Sequence, residues 1–369
     1  MRRFIPRRTK TLALILGLLG LIAVACGSAA TATPSPAPAP TPTAAPPPTA
    51  TLAPTAAPTP TAEPVASTGS GIRGGDPEFD LAAMVWQGYW LSRDQFGPFV
   101  MASGMGIPFA PPMDKLAMAM QLVAQNPDDP VMVPQNMMPL QAVFAEASPD
   151  LVNDPRDFDP MDFEAFRLDP DNFEKTVSVR GQAETMLKES QWAHNFADAH
   201  FGEPGGDVGA QQRFTGVMVS MLAQMQGQYA MQNLMGEDGL YHDSDGGLDF
   251  AGNWVMLHTL VDIAGLTGED GGRYANPEVH PMFDNAATQL FRALETRQPE
   301  SPQEAAGAIR SLAFLAWTTG DDSVRDAALG RVGAIADGSL LTLSSADVVQ
   351  NAAAIAGLAA AADALNDGM

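Results

Sequence analysis

Residues 28–67 consist almost wholly of proline, alanine and threonine, with Glu63 the only charge, and no chain can build a packed core from such a stretch. So little apolar bulk cannot offset the entropy of ordering, and dense proline favours extended polyproline II. At ~3.1 Å per residue, this tether reaches on the order of 100 Å. It divides the chain into a leader (1–25), the tether with its flanks (26–70), and a foldable remainder (71–369).

The leader opens with "MRRFIPRRTK", in which Arg2, Arg3, Arg7, Arg8 and Lys10 meet no acid, and residues 11–25 are then small and aliphatic. An apolar run of about fifteen residues is shorter than the ~20 that span a bilayer. Its small-residue end is that of a cleaved export signal. The following "AVAC" at 23–26 resembles the bacterial lipobox, although Ala23 stands where leucine is most common. That resemblance implies diacylation of the Cys26 sulfur and cleavage just before it. The product would be a lipoprotein held on the extracytoplasmic face of a membrane, each buried methylene contributing about 0.8 kcal/mol.

Cys26 is the only cysteine in the chain. Once it carries lipid, disulfides, cysteine-ligated zinc, thiolate catalysis, iron–sulfur clusters and attached c-type haem are excluded. With 43 acidic against 20 basic residues, the net charge is −23. That balance disfavours nucleic acid and anionic lipid surfaces. The partners it leaves are the membrane through Cys26 and a protein or carbohydrate ligand.

Apolar residues recur at 3.6-residue spacing through 179–200, 208–235, 248–266, 279–297, 301–317, 322–336 and 344–365, and strand signals are nearly absent. The expected fold class is therefore all-α, built of stacked helical hairpins over 179–369. "SPQE" at 301–304 and "SSAD" at 344–347 carry N-cap chemistry. "TGED" from Thr267 and "TGDD" from Thr319 follow similar apolar helices, which suggests an internal repeat with glycine in the left-handed conformation at each break. Helix, Thr-Gly-acid, helix resembles the hairpins of the α/α-toroid superfamily, which includes glycosidases and sugar epimerases. "GLYHDSDGGLDFAGNWVMLHTL" resembles the loop-plus-helix unit of that superfamily. The likeness covers about 235–336 and implies an incomplete toroid-like stack, because too few helices are present for six hairpins.

Region 71–178 differs. "FDLAAMVWQGYWLSRDQFG" reads as one helix with Trp86 and Trp90 on a common face, and "MDKLAMAMQLVAQNP" as another. Residues 150–174 crowd acids, prolines and phenylalanines into a segment suited to wrapping a surface, with Phe158, Phe163, Phe166 and Phe173 as pins.

Several groups of residues offer chemistry. His194 and Asp198 are one turn apart, and His200 lies about 120° further round the same helix, so the i, i+4 histidine pair of a metal site is missing. The loop "EDGLYHDSDGGLDF" gathers His242, Asp243, Asp245 and Asp249, oxygen-rich enough for calcium but out of EF-hand register. Met218, Met221, Met225, Met231 and Met235 share one helical sector, a soft row suited to Cu(I) or, more commonly, to core filling. Trp192, Tyr241 and Trp254 are candidates for stacking on a sugar. No "GxSxG" or "HExxH" occurs. The first functional reading is a membrane-anchored, non-catalytic binding or scaffold module. A carbohydrate-active enzyme or sugar binder using His242 to Asp249 is the second, and a calcium- or copper-binding lipoprotein the third.

Overall fold

A computed structural model of the chain describes residues 81–109, 136–146, 167–168, 174–196, 206–340 and 347–367. The leader, Cys26, the tether, the helix expected at 113–127 and most of 150–174 lie outside these residues, as do Asp198 and His200.

The described part is mainly α-helical. Helix α1 (Leu81–Ala102) is followed by strands β1 (Gly106–Pro108), β2 (Leu140–Glu146) and β3 (Glu174–Val177). Then come α2 (Val179–Phe196), α3 (Gly206–Asn233), α4 (Phe250–Thr267), α5 (His280–Leu294), α6 (Pro302–Thr318), α7 (Asp322–Ile335) and α8 (Val348–Asp367). The seven helices of 179–367 follow the apolar periodicity to within a few residues. The strands depart from an all-α expectation. They form an antiparallel sheet in the order β1-β2-β3, with Ile107 opposite Ala142 and Phe144 opposite Val177. Gly106 is obligatory there, because a Cβ would sit 1.8 Å from the Ala142 carbonyl oxygen.

From α2 onward the even helices form a row, with an odd helix behind each of the first three. α2 packs on α4, α4 on α6 and α6 on α8, while α3, α5 and α7 back onto α2, α4 and α6 respectively. The main core runs through both layers, with Trp254, Leu257, Leu260 and Ile263 of α4, Phe283 and Phe291 of α5, and Ile309 and Leu312 of α6 fully buried. Gly227 of α3 makes room for α5: a Cβ there would lie 2.4 Å from the Phe283 ring.

The expected capping chemistry is present at α6. Ser301 Oγ accepts from the Glu304 N–H at 3.1 Å, and Glu304 Oε2 accepts from the Glu300 N–H at 2.9 Å. At α8 the cap is Asp347, whose Oδ1 takes the Val349 N–H at 2.8 Å. The two Thr-Gly breaks both join an even helix to the odd helix behind it, 267–268 between α4 and α5 and 319–320 between α6 and α7. Neither uses left-handed glycine at its Thr-Gly pair, and the positive φ of the α4–α5 connection falls four residues on, at Gly272 (φ 61). Gly268 has φ −68 and ψ 179, and α6 ends on Thr319, also extended. The backbone N–H of each C-cap bonds back into its own helix, Gly268 to Gly265 and Thr319 to Leu315, so the last turn closes without a φ reversal.

The sheet is joined to the helices by buried amides. Gln182 Oε1 of α2 accepts from the Val143 N–H at 2.8 Å, and Gln226 Nε2 of α3 donates to the Leu140 carbonyl at 3.0 Å. Gln182 Nε2 in turn donates to Gln226 Oε1 at 3.2 Å.

Candidate functional site

The acidic loop between α3 and α4 is a strap. Its main chain turns back on itself, with the His242 N–H on the Leu234 carbonyl at 2.8 Å, and it then reaches the β3–α2 junction. Asp243 Oδ1 accepts from the N–H of Val179, the first residue of α2, at 2.7 Å. Ser244 pairs with Val177 twice, through its hydroxyl oxygen at 2.8 Å and its own N–H at 3.0 Å. Asp245 closes a local turn on the Gly247 N–H at 3.0 Å, and Asp249 takes both arms of the Arg180 guanidinium at 2.8 and 3.2 Å. Fully buried Asn253 holds Tyr241 by reciprocal bonds of 2.8 Å to its N–H and carbonyl. His242 Nε2 lies 3.2 Å from Asp238, whose carboxyl is held low by the Leu240 N–H and by His242.

These partners show what the acids do: they cap a helix, close a turn and pair with arginine. Among the described residues no three His, Cys, Asp or Glu side chains are grouped to hold a metal ion. His194 sits near the far end of α2 from Val179, about 22 Å away at 1.5 Å of rise per residue, so the structure does not bring it to the Asp243 loop.

Tyr241 and Trp254 do not offer ring faces to a ligand, contrary to expectation. Both are 0% exposed, sealed by α4 and the strap, and the Tyr241 hydroxyl and Trp254 Nε1 have no partner among the described residues. Burial raises the Tyr241 phenol above its ordinary value. The methionine row is core. Met218, Met221 and Met225 are buried beside Phe214 and Trp192, and Met231 and Met235 pack on the main core.

Trp192 has a different setting. An open surface cleft of about 500 Å³ lies between α1 and α2, lined by Ser92, Gln95, Phe96 and Phe99 on one side and Lys188, Gln191, Trp192 and Asn195 on the other. Trp192 contributes an edge, since only 5% of it is exposed, and Tyr89 supports it from behind with ring centroids 5.5 Å apart. Lys188 Nζ donates to Gln191 Oε1 at 3.3 Å across one turn of the rim. The described lining therefore has aromatic walls, three carboxamides, one hydroxyl and one cation, and no carboxylate.

Next to this cavity, His194 Nε2 lies 3.7 Å from Asp262 Oδ1 of α4, and the Ser190 hydroxyl donates to Asp262 Oδ2. Burial pushes the Asp262 carboxyl up, opposed by Ser190 and His194. The serine hydroxyl is committed to the carboxylate and the histidine faces the other carboxylate oxygen, so the two are not arranged as a nucleophile–base pair.

The sequence singled out Trp192 but none of the other cavity residues. The signal on α2 was a run of Lys188, Gln191 and Asn195 around Trp192, polar groups at i, i+3 and i+7 flanking an aromatic. Comparison with protein-family profiles, with curated proteins and with solved structures returned no match.

Proposed function

We propose that this chain is a lipid-anchored extracytoplasmic binding module that receives its ligand in the cavity between α1 and α2. The observation that carries this reading is the cavity itself. About 500 Å³ falls within the range of small-molecule sites, and apolar walls with a few convergent polar groups are the usual composition of such sites. The export leader, the "AVAC" sequence and the proline-dense tether support the anchored, extracytoplasmic placement. On this reading the paired helices are an open segment of α/α-toroid-like stacking, and Cys26 is the point of attachment to the membrane.

The mixture of the half-buried Phe96 and Phe99 with Gln95, Gln191 and Asn195 favours a saccharide among ligands, because carboxamides match hydroxyl pairs and aromatic walls match the apolar faces of sugar rings. Titration of the purified protein with cellohexaose and chitohexaose, followed by NMR of the Gln191 and Asn195 side-chain amides, tests the site. Shifts confined to the cavity residues and lost in Asn195→Ala are expected. Shifts elsewhere, or none with either saccharide, would overturn the saccharide reading. Mass spectrometry of the N-terminal peptide tests the anchor, with a diacylated Cys26 as the expected first residue.

A further inference from the structure

Helices α4 and α6 are packed on three sides, α4 by α2, α5 and α6, and α6 by α4, α7 and α8. Each leaves one stripe uncovered. On α4 it passes through Val255 and His258, and on α6 through Gly307, Arg310, Phe314 and Trp317, with every residue between these buried. The two stripes touch, because the His258 ring stacks on Phe314 at 4.5 Å. Lys188 reaches the same imidazole from α2, where it also lines the α1–α2 cleft, so cleft and stripes form one continuous surface.

The charge on this surface is unlike that of the rest of the chain. Arg180, Arg292, Arg297 and Arg325 each rest on a carboxylate. Lys188 and Arg310 have no acid partner among the described residues, Lys188 bonding Gln191 Oε1 instead. Of the acids on α2 and α4, Glu184 is exposed one turn before Lys188, while Asp262, one turn past His258, is buried and held by Ser190. Burial, then Arg310 and Lys188, hold the His258 imidazole down, and no acid opposes them. Two cations thus stand unpaired in a chain of 43 acids and 20 bases.

We infer that this surface receives the acidic groups of an anionic saccharide, with Arg310 and Lys188 as the cations that meet them and Trp317, 53% exposed, as the platform for a sugar ring. The inference rests on the saccharide reading of the cleft and adds charge to it. Stacked helical hairpins present extended binding surfaces of this kind, and an exposed aromatic rimmed by polar groups marks a ligand groove. Nucleic acid fits less well, since two cations on a chain of net charge −23 give too small a basic footprint for a phosphate backbone.

Calorimetric titration of the purified protein with hexagalacturonate, with a heparin hexasaccharide and with fully methyl-esterified hexagalacturonate tests this. At least one acidic probe should bind about tenfold more tightly than the uncharged ester, and which one does so distinguishes carboxylate from sulfate. That preference should shrink as salt screens the exposed cations. Arg310→Gln should lose about tenfold in affinity for the preferred probe and little for the ester, with an unchanged far-ultraviolet circular dichroism spectrum. Trp317→Ala should weaken acidic probe and ester alike, and the His258 ring signals should shift on binding. An ester that binds as well as both acidic probes, or an Arg310→Gln variant that binds them as the wild type does, overturns the inference and leaves the saccharide reading of the cleft standing. So does binding of cellohexaose or chitohexaose with no binding of either acidic probe. Affinity lost in Arg310→Gln but kept in Asn195→Ala supports the cationic surface and overturns the cleft reading instead.

Discussion

Glu189 Oε1 accepts a hydrogen bond from Gln226 Nε2 at 2.9 Å in the interior, while Glu189 Oε2 has no partner among the described residues. Burial is complete and pushes this carboxyl well above its usual value of 4.5, against a smaller lowering by Gln226. The group is therefore neutral in the folded protein at pH values where it ionises in the unfolded chain.

The sign follows directly. Below pH 4.5 both states hold the proton and the contribution to stability is complete. Above it the unfolded state loses the proton first, so stability falls as pH rises toward the folded-state value, by about tenfold in the folding constant per pH unit. Glu189→Gln removes this dependence, and urea denaturation of both forms at pH 5, 6 and 7 should show the variant gaining on the wild type at each step.

His258 acts in the opposite direction. Its ring stacks on Phe314 of α6 at 4.5 Å with planes 10° apart, and burial, followed by Arg310 and Lys188, holds the imidazole down at about 4. Between its ordinary value of 6.5 and 4 the unfolded chain takes up the proton first, so acidification through that window costs stability. An NMR titration should place the His258 midpoint near 4, and Arg310→Gln with Lys188→Gln should move it upward while burial keeps it below 6.5.

The strap acids should separate by role. Asp243→Ala leaves the Val179 N–H without its cap and should cost about 1 kcal/mol, the usual loss at a helix N-cap. Asp245→Ala removes only an exposed local turn bond and should stay within about 0.5 kcal/mol. Equilibrium unfolding of the two variants distinguishes a capping strap from a loop whose acids act alike, and millimolar calcium should leave their difference unchanged.

Gly227→Ala drives a methyl group into the Phe283 ring and should destabilise by about 1–3 kcal/mol, as overpacking does. Phe283→Leu in the same chain should recover part of that loss. Additive costs in the double variant would show that the two helices do not meet through this pair.

What the sequence made legible was set by range. Helices α2 to α8 declare themselves through periodic apolar residues and through caps such as Ser301, both short-range signals. The sheet does not, because β1 is three residues ending in proline and β3 is "EKTV", neither with the length or alternation that marks a strand. The glycines of the Thr-Gly breaks mark the helix ends correctly but not the conformation there, which the backbone bonds of each C-cap decide. The cavity is the hardest case. Residues 92–99 and 188–195 form it from helices almost a hundred positions apart, and only the packing of α1 on α2 turns unremarkable polar side chains into a lining. Trp254 lies in an apolar stretch whose context marks core, whereas Tyr241 lies in the acidic loop, where only the fold shows that it is buried.

Two carboxamides read β2 at fixed points, Gln182 at the Val143 N–H and Gln226 at the Leu140 carbonyl. A strand that slips by one residue turns its side chains to the wrong face, and one that slips by two keeps its faces. The one-residue slip is opposed here a second way, since it also turns both backbone groups away from the glutamines that bond them. The helical layers thus act as a keel for the sheet, setting which side of β2 turns toward the core.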